Sequence, residues 1–103
     1  MAELVAIGDG NGAVDTGHLC DTTTTTDQCS SKVFVGGVGV VRQGDHNASH
    51  DLPCGSDCCA PHTVALSLYS SRVFSEGLGI GRKSDSYGGE SITSAGQGRV
   101  MAG

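Results

Sequence analysis

The sequence predicts an all-β fold built from repeated hairpins, on three observations. First, residues 31–45 (SKVFVGGVGVVRQGD) and residues 71–85 (SRVFSEGLGIGRKSD) carry one phrase twice, which indicates that one supersecondary unit is reused. Second, the 17 glycines and the Ser- and Thr-rich stretches favour turns and extended chain. Third, no long window shows a continuous helical period. The identical positions are Ser31/Ser71, Val33/Val73, Phe34/Phe74, Gly37/Gly77, Gly39/Gly79, Arg42/Arg82 and Asp45/Asp85.

The repeated phrase has the chemistry of a β-hairpin. In the first copy the apolar run 33–35 reaches a Gly-Gly pair and returns as the apolar run 38–41. Glycine supplies the positive φ angles that a tight two-residue hairpin turn requires. We therefore predict hairpins over 31–45 and 71–85.

The two ends of the chain contain a weaker third copy. Residues 99–103 (RVMAG) match the outgoing strand, and residues 4–9 (LVAIGD) match the return strand with its closing Gly-Asp. The last and first strands are expected to pair as a split hairpin. Three such hairpins predict pseudo-threefold symmetry within a single domain that spans residues 1–103.

Size and composition restrict the classes of function. A domain of 103 residues with four aromatic side chains and no tryptophan has a thin core, so a disulfide, a metal or a partner is expected to stabilise it. A net charge of −5 without a basic patch argues against nucleic acid binding. There is neither a signal-peptide pattern nor an apolar run long enough for a membrane helix, so we expect synthesis in the cytoplasm without a signal peptide and no stable membrane insertion.

The histidines and cysteines lie in the loops that follow the first two Gly-Asp sequences. The loop after Asp9 contains His18, Cys20 and Cys29, whereas no histidine or cysteine follows Asp85. In a pseudo-threefold arrangement these loops converge near the axis, as a tetrahedral metal site requires. The loop after Asp45 holds the remaining candidates, which are His46, His50, Cys54, Cys58, Cys59 and His62.

The cysteines can instead form disulfides. Five is an odd number, so one cysteine stays unpaired or binds something else. A cytosolic origin argues against a framework held by disulfides alone. A mixed arrangement has one cysteine on the metal and one bridge, such as Cys20–Cys29 or Cys54–Cys58. The spacing does not assign the pairs.

Catalysis is not expected. His and Cys could supply a base and a nucleophile, but the sequence has no oxyanion motif and no nucleophile elbow. The glycine-rich segment 8–12 lacks the lysine and the following helix of a phosphate-binding loop. We predict that the protein is not an enzyme.

The repeated phrase resembles that of the PAAR-repeat proteins. The segments 33–37 (VFVGG) and 40–45 (VVRQGD) are similar to the family's phrase S-x-x-V-F-V-N-G-x-x-x-A-R-x-G-D, which recurs with His and Cys in the loops between copies. The resemblance extends over almost the whole chain, from Val5 to Met101.

The resemblance implies a structural function. PAAR proteins form a short cone, or pyramid, of β-structure that caps a trimeric β-helical spike of a contractile phage tail or a type VI secretion system and helps to pierce the target cell envelope. It implies a metal-bound apex with a zinc ion on three histidines and one cysteine. The matching positions here are His18, His50, His62 and Cys59, with Cys54 and Cys58 as rivals for the cysteine.

The expected place of the protein is therefore the tip of the central spike in a virion baseplate, or the tip of an injection apparatus. Because no toxin-like region is appended to the repeats, a tail or injection tip is favoured over an effector carrier. The same His and Cys ligands would also suit iron. The third loop, residues 86–90, departs from the family because it lacks His and Cys.

Two other hypotheses remain at the level of sequence. One is a small zinc- or disulfide-stabilised binding module without a spike partner, which would be a stable monomer with no affinity for a β-helical trimer. The other is a small metallohydrolase, which would use three protein ligands and a water on an accessible metal.

Overall fold

A computed structural model describes residues 2–96 and 100–103, and this part of the chain is all β, without a helix. The predicted all-β fold is confirmed. Since the described residues contain no helix, none of them forms an apolar helix that could cross a membrane. The strands are β1 (Glu3–Leu4), β2 (Ala13–Asp15), β3 (Thr23–Thr25), β4 (Phe34–Val35), β5 (Val38–Gly39), β6 (His50–Cys54), β7 (Asp57–His62), β8 (Phe74–Ser75), β9 (Leu78–Gly79), β10 (Ser86–Tyr87), β11 (Glu90–Ser94) and β12 (Met101–Ala102).

The two copies of the repeated phrase contain equivalent antiparallel pairs. Strand β4 pairs with β5, with Phe34 opposite Gly39, and β8 pairs with β9, with Phe74 opposite Gly79. Both turns have two central residues with positive φ, as in a type I′ turn. These are Gly36 (60°) and Gly37 (83°) in one copy and Glu76 (56°) and Gly77 (79°) in the other.

The two ends of the chain pair with each other in the same way. Strands β1 and β12 are antiparallel, with Leu4 opposite Met101. Arg99, which belongs to the predicted split hairpin, lies outside the described residues. A backbone N–H beside the pair donates to the opposite strand at 2.7–3.1 Å in all three pairs, from Val5 to Val100, from Val40 to Val33 and from Ile80 to Val73.

Hydrogen bonds between these three pairs close a ring. The backbone N–H of Ala6 donates to the carbonyl of Gly81 (2.9 Å), that of Gly81 to Val41 (2.7 Å) and that of Val41 to Ala6 (3.0 Å). Each pair thus donates to one neighbour and accepts from the other, which is a threefold repetition in a single chain. A second cycle connects the same three pairs in the opposite direction, from Gly8 to Gly39, from Gln43 to Gly79 and from Lys83 to Leu4, at 2.8–2.9 Å.

The buried apolar side chains form two clusters. One takes a residue from each member of the ring, because Val5, Val40 and Ile80 pack together with Ala102. The other begins at the ring and extends to the loops, and it consists of Ala6, Val14, Val41, Leu66, Tyr87 and Ile92. The thin core is therefore shared between the repeated pairs and the elements that carry the loops.

The remaining strands arise in the loops that connect the repeated pairs. Strands β10, β11, β2 and β3 form one antiparallel sheet in that order. Strands β6 and β7 form a separate hairpin, in which the register shifts after Leu52, so that Cys59 is the extra residue of a β-bulge. This hairpin and strand β11 position the side chains of the candidate site.

Candidate metal centre

Three histidines and one glutamate converge between the loop elements. His50 is the first residue of β6 and His62 is the last residue of β7, and the two are direct cross-strand partners. Side chains in such a pair lie about 5 Å apart at Cβ, so the hairpin register itself brings the two imidazoles together. His18 reaches them from the segment between β2 and β3, and Glu90 from the first position of β11.

All three imidazoles face the same carboxylate oxygen. The Nε2 atoms of His18, His50 and His62 lie 2.5, 3.0 and 3.2 Å from Oε2 of Glu90. One potential ligand atom from each of the four side chains lies within 4.8 Å of the others. His50 and Glu90 are buried, whereas His18 and His62 are half-buried. The cluster is thus partly accessible to solvent, through His18 and His62.

Hydrogen bonds outside the cluster fix two of its members. Oε1 of Glu90 accepts a bond of 2.7 Å from Nδ2 of the buried Asn47, and Oδ1 of Asn47 accepts from the backbone N–H of Val64 at 2.9 Å. Nδ1 of His50 lies 2.8 Å from the carbonyl oxygen of Ala48. A carbonyl oxygen only accepts, so Nδ1 of His50 carries the proton.

This tautomer leaves a position for a cation between His50 and Glu90. With the proton on Nδ1, neutral His50 presents a lone pair on Nε2 to the carboxylate oxygen, and two acceptors at 3.0 Å repel each other. A protonated His50 imidazolium removes this repulsion, and so would a metal ion among the four ligand atoms. Three imidazole nitrogens and one carboxylate oxygen are a donor set that Zn²⁺ accepts, so the residues fit a metal.

The electrostatics of the cluster favour the ion-paired state when no metal is bound. Burial opposes ionisation of Glu90, but hydrogen bonds from His50, Asn47 and His18 outweigh it and lower the pKa of this carboxyl group. Burial likewise opposes protonation of His50, but its bonds to Ala48 and Glu90 prevail and raise the pKa of the imidazole. Each group therefore stabilises the charge of the other.

The structure brings together three of the four predicted ligands. Cys59 does not join His18, His50 and His62, because it forms a disulfide with Cys54. The fourth ligand atom instead belongs to Glu90, in the third loop, where the sequence offered neither His nor Cys.

The other candidates from the same loops also lie outside the cluster. Cys58, a rival for the cysteine ligand, is bonded to Cys20. His46 is exposed, and its Nδ1 lies 3.3 Å from Oγ1 of Thr63. Cys29, the remaining cysteine, is not in a disulfide.

The disulfides connect the segments that carry the histidines. Cys20–Cys58 joins the segment of His18 to strand β7, and Cys54–Cys59 closes the β6–β7 hairpin. Neither Cys20–Cys29 nor Cys54–Cys58, the pairs considered from the sequence, is formed. A covalent link two residues from His18 restricts its position relative to the hairpin of His50 and His62.

Comparison of the chain with protein-family models and with curated proteins gives no match. The functional interpretation therefore depends on the geometry described above and on the repeated phrase.

Proposed function

We propose that the protein is a structural tip that caps a trimeric β-helical spike of a contractile tail or injection machine and helps it to pierce a target envelope. The observation that carries the proposal is the cyclic hydrogen bonding of Ala6, Val41 and Gly81. A single chain with this internal repetition can present three equivalent contacts to the end of a threefold partner.

Exposed apolar side chains follow the same repetition. Phe34, Phe74 and Met101 occupy equivalent positions in the three strand pairs, and their exposed fractions are 55%, 56% and 59%. The preceding residues, Val33, Val73 and Val100, are also exposed. Grouped exposed apolar side chains mark interaction surfaces, and their threefold placement matches a threefold partner.

The strand edges suit the same contact. Within the described residues β4, β8 and β12 each pair with one strand, so each leaves one edge for further hydrogen bonding. A β-helical partner ends in open strands of its own. Edge-to-edge addition satisfies backbone groups on both sides and gives both proteins a continuous sheet.

We propose zinc as the metal of the cluster formed by His18, His50, His62 and Glu90. Four protein ligands are the usual number in a structural zinc site, and such a site contributes directly to folding stability. The ion would supply a cross-link among loops that share little apolar core. Iron is the alternative because it accepts the same nitrogen and oxygen ligands, and elemental analysis of the purified protein distinguishes the two.

The proposed place of the protein is the tip of the central spike in a virion baseplate or injection apparatus. It contacts the target envelope transiently and has no role in nucleic acid binding. We propose no catalytic activity, since the cluster offers four protein ligands rather than three with an open position.

The proposal is tested by mixing the purified protein with purified trimeric β-helical spike proteins of contractile tails and type VI systems. Native mass spectrometry should detect one copy of the chain per spike trimer. Phe34→Asp and Phe74→Asp should each weaken binding at least about 10-fold, because each places a charge in the buried contact. Leu68→Asp is the matched control, since Leu68 is 53% exposed but lies outside the three strand pairs.

Failure to bind any spike, with the protein a stable monomer, would contradict the spike-tip function and support the alternative of a small stabilised binding module. Equal loss of binding in the Leu68→Asp control would show that the contact does not depend on the three repeated pairs.

A further inference from the structure

Two disulfides that the histidine cluster does not use involve consecutive residues of one strand. Cys58 and Cys59 are consecutive residues of β7, and each is bonded to a different partner, Cys20 and Cys54 respectively. The two disulfides are therefore joined through a single peptide unit. All four sulfur atoms belong to the β6–β7 hairpin and the segment that precedes β3.

The local backbone allows the two neighbouring sulfurs to share a site. In a regular strand, residues 58 and 59 would point to opposite faces of the hairpin. Here Pro53 pairs with Cys58 and Leu52 pairs with Ala60, so Cys59 is the bulged residue. A bulge interrupts the strict alternation of side chains between the two faces of a hairpin and changes the direction of the side chains next to it.

The spacing of the four residues suits tetrahedral thiolate ligation. The Cα atoms are 5.7 Å apart in both disulfide pairs, and Cys54 and Cys58 enclose a turn of three residues, within the usual range for zinc-binding cysteines. A tetrahedral zinc with Zn–S of about 2.3 Å separates its sulfurs by about 3.8 Å, which side-chain rotation from such Cα positions can reach.

Exposure makes the disulfides accessible to small reagents. Cys58 and Cys59 are exposed and Cys54 is half-buried, whereas Cys20 is buried. Each disulfide thus includes one exposed cysteine, and thiol–disulfide exchange depends on the access of the attacking thiol.

We propose that Cys20, Cys54, Cys58 and Cys59 form a second metal site, which exists when the protein is reduced and is abolished when it is oxidised. Two equivalents of a small dithiol reduce the two disulfides to four thiols and become two cyclic disulfides. Zn²⁺ then displaces four protons and binds four thiolates. In the reverse direction two molecules of a low-molecular-weight disulfide accept four electrons, both protein disulfides re-form, Zn²⁺ leaves, and four protons are taken up by the four thiols produced.

This site acts as a redox-dependent device next to the histidine cluster. In a reducing compartment the second metal holds the segment of Cys20 against the β6–β7 hairpin. In an oxidising environment the disulfides hold the same segments covalently and the metal is released. The connection between His18 and the hairpin of His50 and His62 is kept in both states.

The test is a measurement of bound zinc by elemental analysis in the two redox states. The protein reduced with a phosphine under argon and loaded with Zn²⁺ should hold about two equivalents after desalting, and the oxidised protein about one. Loading with Co²⁺ should give thiolate-to-cobalt charge-transfer absorption in the reduced protein, and this absorption should disappear on oxidation.

Cysteine variants identify which sulfur atoms bind the second metal ion. Cys20→Ser, Cys54→Ser, Cys58→Ser and Cys59→Ser should each weaken binding of the second equivalent at least about 10-fold. Cys29→Ser is the matched control and should retain it, because Cys29 is outside both disulfides. Circular dichroism of each reduced variant identifies any that fail to fold. For a variant that does not fold, the double variant Cys54→Ser/Cys59→Ser replaces it in the zinc measurement, because this variant keeps the Cys20–Cys58 bridge under oxidation.

Three results would overturn the proposal. The first is one equivalent of zinc in both redox states without thiolate absorption. The second is thiolate absorption that depends on Cys59 and Glu90 but not on Cys20 or Cys54, since this would mean that a single cysteine joins the histidine cluster on reduction. The third is loss of the second equivalent in Cys29→Ser.

Discussion

Nε2 of His50 and Oε2 of Glu90 face each other at 3.0 Å between strands β6 and β11, and both side chains are buried. A buried carboxylate is stabilised by a cation or by hydrogen bonds, and here every partner of Oε2 is an imidazole. The pair connects the β6–β7 hairpin to the four-stranded sheet. Its contribution to stability thus depends on what lies between the two atoms, a proton or a metal ion.

Replacing Glu90 with glutamine should weaken metal binding by about 100-fold or more, because a neutral amide oxygen is a poor substitute for a carboxylate ligand. The thermal transition of the metal-loaded protein should fall in parallel. Isothermal titration with Zn²⁺ and differential scanning calorimetry measure the two effects. Glu3→Gln is the matched control, since Glu3 lies on β1 outside the cluster and should leave both values unchanged. Undiminished binding in Glu90→Gln would exclude this carboxylate as a ligand.

Without metal, the same cluster should make stability depend on pH in a defined window. The lowered pKa of Glu90 contributes to folding stability. This contribution is present above the ordinary glutamate pKa and is lost as the pH falls through the pKa of Glu90 in the folded protein. The raised pKa of His50 contributes in the opposite sense. Its contribution to folding stability is present below the ordinary imidazole pKa and is lost as the pH rises through the pKa of His50 in the folded protein. Both contributions to folding stability are fully present between about pH 4.3 and 6.5.

The measurement is the melting temperature across pH in the presence of a chelator, for the wild type and for Glu90→Gln. The difference between the two should be largest within that window and should shrink on both sides of it. A difference that keeps growing above neutral pH would contradict the stabilisation of the carboxylate by an imidazolium.

The sequence predicted the all-β class because its signals are local. Gly37 and Gly77 lie at the same place in the repeated phrase, and both have the positive φ that a type I′ turn demands. The match at the chain ends is weaker because it is shorter, although β1 and β12 pair.

The fourth member of the candidate metal cluster could not be predicted in the same way. Carboxylates are common on every surface, and a lone Glu90 in a loop without His or Cys carries no local signature. Its role becomes visible through contacts distant in sequence, with Asn47 and His50, that the sheet and hairpin create. The disulfides present the same difficulty, because the spacing of five cysteines does not determine which sulfurs meet.

Replacing Gly39 with alanine should destabilise the fold by about 2–3 kcal/mol or more, because the new Cβ would overlap the carbonyl oxygen of Ser30, a backbone atom that cannot move aside cheaply. Gly79 meets the carbonyl of Ser70 in the same manner, so Gly79→Ala should behave alike. Urea denaturation gives the free energies of unfolding.

Gly37→Ala is the control for backbone conformation. Its Cβ would meet open space, and its positive φ of 83° should cost only about 1–2 kcal/mol. A smaller loss in Gly39→Ala than in Gly37→Ala would contradict the close approach of the segment at Ser30 to strand β5.

Replacing Tyr87 with phenylalanine should stabilise the protein, by about 1 kcal/mol. Tyr87 is fully buried in the larger apolar cluster, and its hydroxyl has no hydrogen-bond partner within the described part of the chain. Burial, followed by the charges of Asp45 and Asp27, raises the pKa of the phenol, so the group stays neutral and the cost is that of an unpaired hydroxyl. Tyr69→Phe, at a half-buried position on the same cluster, is the control and should change the free energy of unfolding by less than about 0.5 kcal/mol. Urea denaturation measures both free energies. A loss of stability in Tyr87→Phe would mean that a buried water molecule hydrogen-bonds the Tyr87 hydroxyl. The larger apolar cluster would then contain water at the one polar side-chain atom that lacks a protein partner within the described part of the chain.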